Sequence, residues 1–212
     1  MRRTKQDVNN LSKQNKIEPM GEEINTKVEI IECAVNLFKN HGYDQVTVAQ
    51  ICKEVGISKT SFYYHFSSKE DLVSDYILSV HEISARALNQ VLLLSGSYLA
   101  QFWKFYQIYI NKYLVTGYEI MSISYANKLK YHKSYLPGDT PSHVVYISLL
   151  EKSQAAGEIR NMADPTSLAA TCVYLIRGIF ILWSISGDID LRETCRNALN
   201  DLFQPNEGFV LE

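Results

Sequence analysis

No proline occurs between positions 20 and 136; the five in the chain stand at 19, 137, 141, 165 and 205. Proline lacks an N–H and clashes with the preceding turn, so helix interiors exclude it. A stretch this long without proline therefore favours helices. The glycines agree: Gly42, Gly96, Gly117, Gly157 and Gly187 each follow a periodic apolar segment, the position of a helix stop. No Asn-Gly or Asp-Gly pair interrupts an alternating run, as a strand hairpin would require. The expected fold class is all-α.

The N-terminal third is punctuated in detail. Thr26-x-x-Glu29 has the form of a capping box, whose hydroxyl and carboxylate each satisfy a helix-start N–H. Ile30, Ile31, Ala34, Leu37 and Phe38 follow as an apolar stripe that Gly42 ends. Thr47-x-x-Gln50 is a second box, before Val48, Ile51, Cys52 and Val55 at helical spacing. Gly56 stops that helix after barely two turns. Ser58 is placed to cap a third helix over 59–65, and Ser67-x-x-Glu70 reads as a third box opening a long helix to about residue 94. Helices this short are marginal alone and need packing against one another. Two short helices joined by a glycine turn form a helix-turn-helix, whose second helix presents its N-terminal residues to a major groove.

Composition bounds the remainder. With 46% hydrophobic and 21% charged residues among 212, the chain can bury a core, and a net charge of −2 excludes an evenly basic nucleic-acid binder. The charges are uneven, however. Residues 1–16 hold Arg2, Arg3, Lys5, Lys13 and Lys16 against Asp7, and over 53–69 Lys53, Lys59 and Lys69 outnumber Glu54. The four cysteines at 33, 52, 172 and 195 make no CxxC or CxxxH pair, so they read as small core hydrophobes and no metal or cofactor is expected. The basic start precedes no apolar run, unlike a signal peptide. The apolar stretch 168–185 is broken by Arg177, Thr171, Tyr174 and Ser184, as in a buried helix rather than a membrane span. A cytoplasmic setting with no membrane partner is the expectation.

Three segments together resemble the DNA-binding domain of the tetracycline-repressor (TetR) family: Phe38-x-x-His41-Gly42-Tyr43; Thr47-Val48-x-x-Ile51-x-x-x-Val55-Gly56-Ile57-Ser58-Lys59; and Phe62-Tyr63-x-His65-Phe66-x-x-Lys69-Glu70-x-Leu72. Further on, only Ala-Ala-Gly-Glu-Ile-Arg-x-x-Ala-Asp-Pro at 155–165 is similar. The resemblance implies that Thr47 caps the second helix and holds a phosphate, that Lys59 binds the backbone or a base edge, and that Thr60 and Ser61 read bases. Thr60 stands where relatives often have Gly, Ala or Pro, and Ser61 where they have Thr, which leaves the operator sequence open. Tyr63, Tyr64 and His65 match phosphate-gripping positions, and Lys69 adds charge at a helix start that itself favours anions. The basic arm either reaches a minor groove or is a solvating tail.

The larger part changes character. Residues 98–125 hold Tyr98, Phe102, Trp103, Phe105, Tyr106, Tyr109, Tyr113, Tyr118 and Tyr125. Phe102, Tyr106, Tyr109 and Tyr113 share one helix face. Any single ring reads as core, but buried tyrosines need partners for their hydroxyls, and so many together fit an apolar pocket with convergent polar groups. The resemblance implies an effector pocket lined by Phe102, Phe105, Tyr106, Tyr109, Tyr113, Met121, Tyr125, Tyr174 and Arg177, for a small molecule of aromatic or apolar character. Arg177 meets either an anionic ligand or Glu119 or Glu151. Lys128, Lys130, His132 and Lys133 read as a solvated connection.

Helices expected at 142–156 and 166–186 would, by the same resemblance, pair with their copies in a homodimer through Val144, Ile147, Leu175, Gly178, Ile179 and Leu182. The final helix, 191–203, docks on that bundle. The domain reading is a basic arm at 1–22, a three-helix helix-turn-helix domain at 23–70 and a helical effector-binding and dimerisation domain at 71–212. The function implied is a regulator of a palindromic double-stranded DNA operator, a repressor released by its effector. A ligand- or partner-dependent activator is the alternative. An α-helical enzyme is the rival from another class, but the sequence has no GxSxG, HExxH or Gly-rich phosphate loop.

Overall fold

A computed structural model describes residues 20–78, 96–131 and 141–212. Among them the regular structure is helical: α1 (Met20–His41), α2 (Val48–Val55), α3 (Lys59–His65), α4 (residues 69–78), α5 (Tyr98–Thr116), α6 (Tyr118–Lys130), α7 (Pro141–Ala155), α8 (Pro165–Ser186) and α9 (Leu191–Phe203). The basic arm at 1–16, the expected extension of α4 to about 94, and His132 and Lys133 lie outside the described residues.

Local chemistry sets most helix ends. The Thr47 box forms in full: Thr47 Oγ1 accepts from the Gln50 N–H at 3.2 Å, and Gln50 Oε1 accepts from the Thr47 N–H at 2.7 Å. Gly56 ends α2 at φ 80°, a left-handed conformation that a Cβ disfavours. Ser58 Oγ accepts from the Ser61 N–H at 3.1 Å and caps α3.

The other two boxes differ from expectation. α1 begins at Met20, so Thr26 lies inside the helix, and the Glu29 carboxylate accepts from the Asn25 side chain at 2.8 Å. At α4 the register moves by one: Ser68 Oγ accepts from the Asp71 N–H at 3.1 Å, while Asp71 Oδ2 accepts from the Ser67 N–H at 2.9 Å. Asp71 thus takes the place expected for Glu70.

Ile30, Ala34 and Phe38 of α1, Ile51 of α2, Phe62 of α3, Phe66, and Leu72, Val73 and Ile77 of α4 make one buried apolar group. In the larger part α8 packs against α6, α7 and α9, and α5 against α6, α7 and α9. The loop after α7 supplies an anchor: the buried Glu158 carboxylate accepts from the N–H groups of Tyr98 and Leu99 at 3.0 and 2.7 Å. With Ser97 Oγ on the Ala100 N–H, the donors that α5 leaves unpaired at its start are met.

α8 is long and apolar enough to cross a membrane by length and composition. Its inner face, with Ile176, Ile179, Phe180 and Trp183, is buried in the bundle. The outer face is not: Tyr174, Leu175, Ile181, Leu182 and Ile185 are exposed.

Candidate nucleic-acid interface and the aromatic interior

α3 is held by its apolar side and offers the other outward. Phe62 is fully buried and Phe66 nearly so. The remaining residues project from the rigid seat these two make. Lys59 and Thr60 are exposed, Ser61 and His65 are half-buried, and Tyr63 and Tyr64 are 55% and 70% exposed. Thr47 is also exposed, at the start of α2. Lys59, Thr60, Tyr63, Tyr64 and Thr47 thus present an ammonium, hydroxyls and ring edges outward, the groups that bond to phosphates and base edges.

Lys69 departs from expectation. Its Nζ donates to the carbonyls of Tyr43 and Val46 at 2.9 and 2.7 Å and lies 4.2 Å from the Tyr43 ring centroid. Two of its three donors are therefore engaged within the protein, tying α4 to the turn before α2. This holds the turn that carries the Thr47 cap. Tyr43 completes the arrangement. Burial pushes its hydroxyl pKa up, and the Glu70 carboxylate beside it adds to the effect. The Glu70 carboxyl lies below its usual range, held down first by a backbone hydrogen bond and then by Ser68 and Tyr43 against the opposing cost of burial.

Among the described residues, polar contacts join this unit to the rest. Asn127 Nδ2 of α6 donates to the Glu70 carbonyl at 3.3 Å, and the hydroxyls of Tyr76 and Thr116 lie 3.3 Å apart.

Inside the larger part, the expected pocket residues largely converge. Phe102, Phe105, Tyr106, Tyr113 and Met121 are buried, and Tyr109 and Tyr125 half-buried. They are packed ring to ring, and the set includes Tyr146 of α7, which sequence reasoning missed. Tyr146 stacks on Tyr106 with centroids 5.3 Å apart and an interplanar angle of 22°, and contacts Phe102 and Phe105. Cys172 Sγ donates to the Tyr106 hydroxyl at 3.3 Å. Burial pushes the Tyr106 and Tyr146 hydroxyls upward and raises the Cys172 thiol to about 12. A second group surrounds Tyr113, whose ring lies 4.3 Å from Phe180 and whose hydroxyl bonds to that of Tyr125.

Tyr174 does not join them: it is 60% exposed on the outer face of α8. Of the residues expected at a subunit seam, Val144, Leu175, Gly178 and Leu182 are exposed and Ile147 is half-buried. Ile179 is 8% exposed and belongs to the inner face. On a helix apolar nearly all round, only the packing partners decide which side turns in.

Residues 30–76 match the sequence model of the bacterial regulatory proteins of the tetR family. Over 46 residues the chain is 48% identical to the negative transcriptional regulator IcaR of the biofilm operon icaADBC from Staphylococcus aureus, covering 22% of this chain and 25% of that protein. The chain thus aligns with about a quarter of that relative's length. Solved structures with similar folds include the following two. One is Thermus thermophilus FadR, a TetR-family repressor in complex with lauroyl-CoA, at 17% identity and TM-score 0.55 over 88% of this chain and 96% of that one. The other is regulatory protein TetR from Rhodobacter sphaeroides, at 22% identity and TM-score 0.54 over 83% and 96%.

Proposed function

From a chain whose residues 30–76 match the model of the bacterial regulatory proteins of the tetR family, we propose a homodimeric transcriptional repressor that leaves its operator when a small molecule enters the aromatic interior. One observation carries the reading: α3 is capped by Ser58 and anchored through Phe62, while Lys59, Thr60, Tyr63 and Tyr64 stand outward. In this reading Thr47, Tyr63, Tyr64 and His65 hold phosphates and Thr60 and Ser61 read bases. Lys69 supports them by fixing the turn that carries Thr47.

The exposed outer face of α8, with Tyr174, Leu175, Gly178, Ile181, Leu182 and Ile185, joined by Val144 of α7, supports a partner copy. Contiguous apolar surface of this kind marks an interaction site. A face meeting its own copy gives twofold symmetry and therefore a palindromic operator, with half-sites about 34–36 Å apart. The roles of the relatives, a negative regulator and a repressor holding lauroyl-CoA, support repression relieved by a ligand. Release requires the ligand to bind the DNA-incompetent arrangement better, with a coupling typically of about 1–3 kcal/mol. The reading involves no chemistry on the ligand and places the protein in the cytoplasm. Its test is titration of the protein with operator DNA and then with trial ligands: DNA must lower ligand affinity by the factor by which ligand lowers DNA affinity. A ligand that binds tightly yet leaves DNA affinity unchanged overturns the release mechanism.

A further inference from the structure

Three helices bring basic and hydroxyl groups together at one place in the larger part. Phe180 of α8 packs on Tyr113 of α5 with ring centroids 4.3 Å apart, which turns Arg177, one helical turn earlier, toward the same spot. The Tyr113 hydroxyl bonds to Tyr125 of α6, and Lys128, one turn further along α6, holds its Nζ 5.3 Å from the Tyr125 ring centroid. Arg177, Lys128 and Tyr125 are half-buried and Tyr113 is buried. The Arg177 charge reaches all three neighbours: it eases ionisation of both tyrosines and, with burial as the larger cause, lowers the pKa of Lys128. The Tyr125 hydroxyl, accepting from Tyr113, keeps its own proton to donate.

We propose that this cluster is the polar end of the effector site, selecting an organic anion whose acidic head lies between Arg177 and Lys128 and whose apolar body lies along the aromatic interior. The proposal rests on the ligand-release reading above and narrows its ligand from any aromatic or apolar molecule to an acidic one. A guanidinium offers a planar fork of donors suited to an acid group, the ammonium adds a point charge, and Tyr125 adds a hydroxyl. An anion there lands on α6 one residue from Asn127, whose side chain holds the Glu70 carbonyl at the start of α4. Binding is therefore placed to alter the contact between α6 and the DNA-binding unit.

The test compares two fluorescent probes with the same apolar body: anilinonaphthalene sulfonate, which is anionic, and phenylnaphthylamine, which is uncharged. Both are titrated into the full-length wild type and into Arg177→Gln, Lys128→Gln and Arg177→Lys, each checked by thermal melting. The expected result is that each Gln variant binds the sulfonate at least about tenfold more weakly, the loss of one charged hydrogen bond, while the neutral probe shifts less than about twofold. Arg177→Lys is expected to recover most of the sulfonate affinity. Equal sulfonate binding by the wild type and both Gln variants overturns the proposal, as does a parallel loss of both probes in variants that melt like the wild type. Failure of the underlying DNA-binding reading is seen separately, as wild-type protein that binds no specific DNA sequence without any probe.

Discussion

Asn127 on α6 donates its side-chain amide to the backbone carbonyl of Glu70 across 3.3 Å, so the first turn of α4 is held by the larger part of the molecule. α4 follows α3 after a short turn through Phe66, and it carries Lys69, which secures the turn ahead of Thr47. In the proposed reading, movement of α6 would reach the surface made by α3 and Thr47 through these contacts.

Replacing Asn127 with Leu removes that donor. The expected cost is about 0.5–1.5 kcal/mol of stability, the usual net value of one hydrogen bond. The coupling between effector and DNA falls more than the affinity for either alone. Anisotropy titrations with and without effector check this; an unchanged coupling factor would place the route elsewhere.

Lys69→Ala separates a supporting residue from a contact residue. Its two bonds to the Tyr43 and Val46 carbonyls are charge-assisted, each worth about 1.5–3 kcal/mol, so urea denaturation is expected to show a clear loss of stability along with weaker DNA binding. Lys59→Ala is expected to do the reverse. Stability stays within about 0.5 kcal/mol for an exposed side chain, while affinity falls and the salt slope decreases by about one for each phosphate no longer neutralised.

The two faces of α8 predict opposite outcomes for neighbouring substitutions. Leu182→Arg, at a position 57% exposed, is expected to leave a folded monomer that no longer holds a two-half-site operator. Ile179→Ala, on the inner face, is expected to lower stability by about 2–5 kcal/mol with the dimer retained. Sedimentation velocity and thermal melting on the two variants distinguish these results.

Burial raises the thiols of Cys172 and Cys195 to about 12. Their native pKa lies above the ordinary value of 9.0 that applies in the unfolded chain. The stability they contribute is therefore complete below about pH 9 and is lost as pH rises toward 12. Since thiolate is the reactive form, alkylation at pH 8 followed by peptide mapping is expected to modify half-buried Cys33 first, and Cys172 and Cys195 only on unfolding.

Features that depend on near neighbours were legible in the sequence. The Thr47 box needs only Gln50, and Ser58 needs only Ser61; both form as read. The α4 box shows where local reading stops. Ser67 and Ser68 face Glu70 and Asp71, two registers fit the same spacing, and the chain takes the one in which Asp71 bonds to both serines. The place of Lys69 at a helix start suggests an anion contact, but its partners, Tyr43 and Val46, belong to another turn that only the fold brings near. The tyrosine cluster was legible as composition. Tyr146, far along the chain from Tyr106, was not, and neither was the outward turn of Tyr174. A helix as evenly apolar as α8 carries no mark of which side meets the core.

The central claim is that the outward face of α3 reads a specific, symmetric DNA sequence. Selection from a random DNA pool by the full-length protein, with Lys59→Ala and Tyr64→Ala run in parallel, tests it most directly. The wild type is expected to enrich one palindrome with half-sites about one helical turn apart, and the two variants are expected to lose that enrichment while remaining folded. Enrichment of no sequence by the wild type, or of the same palindrome by all three proteins, would contradict the account.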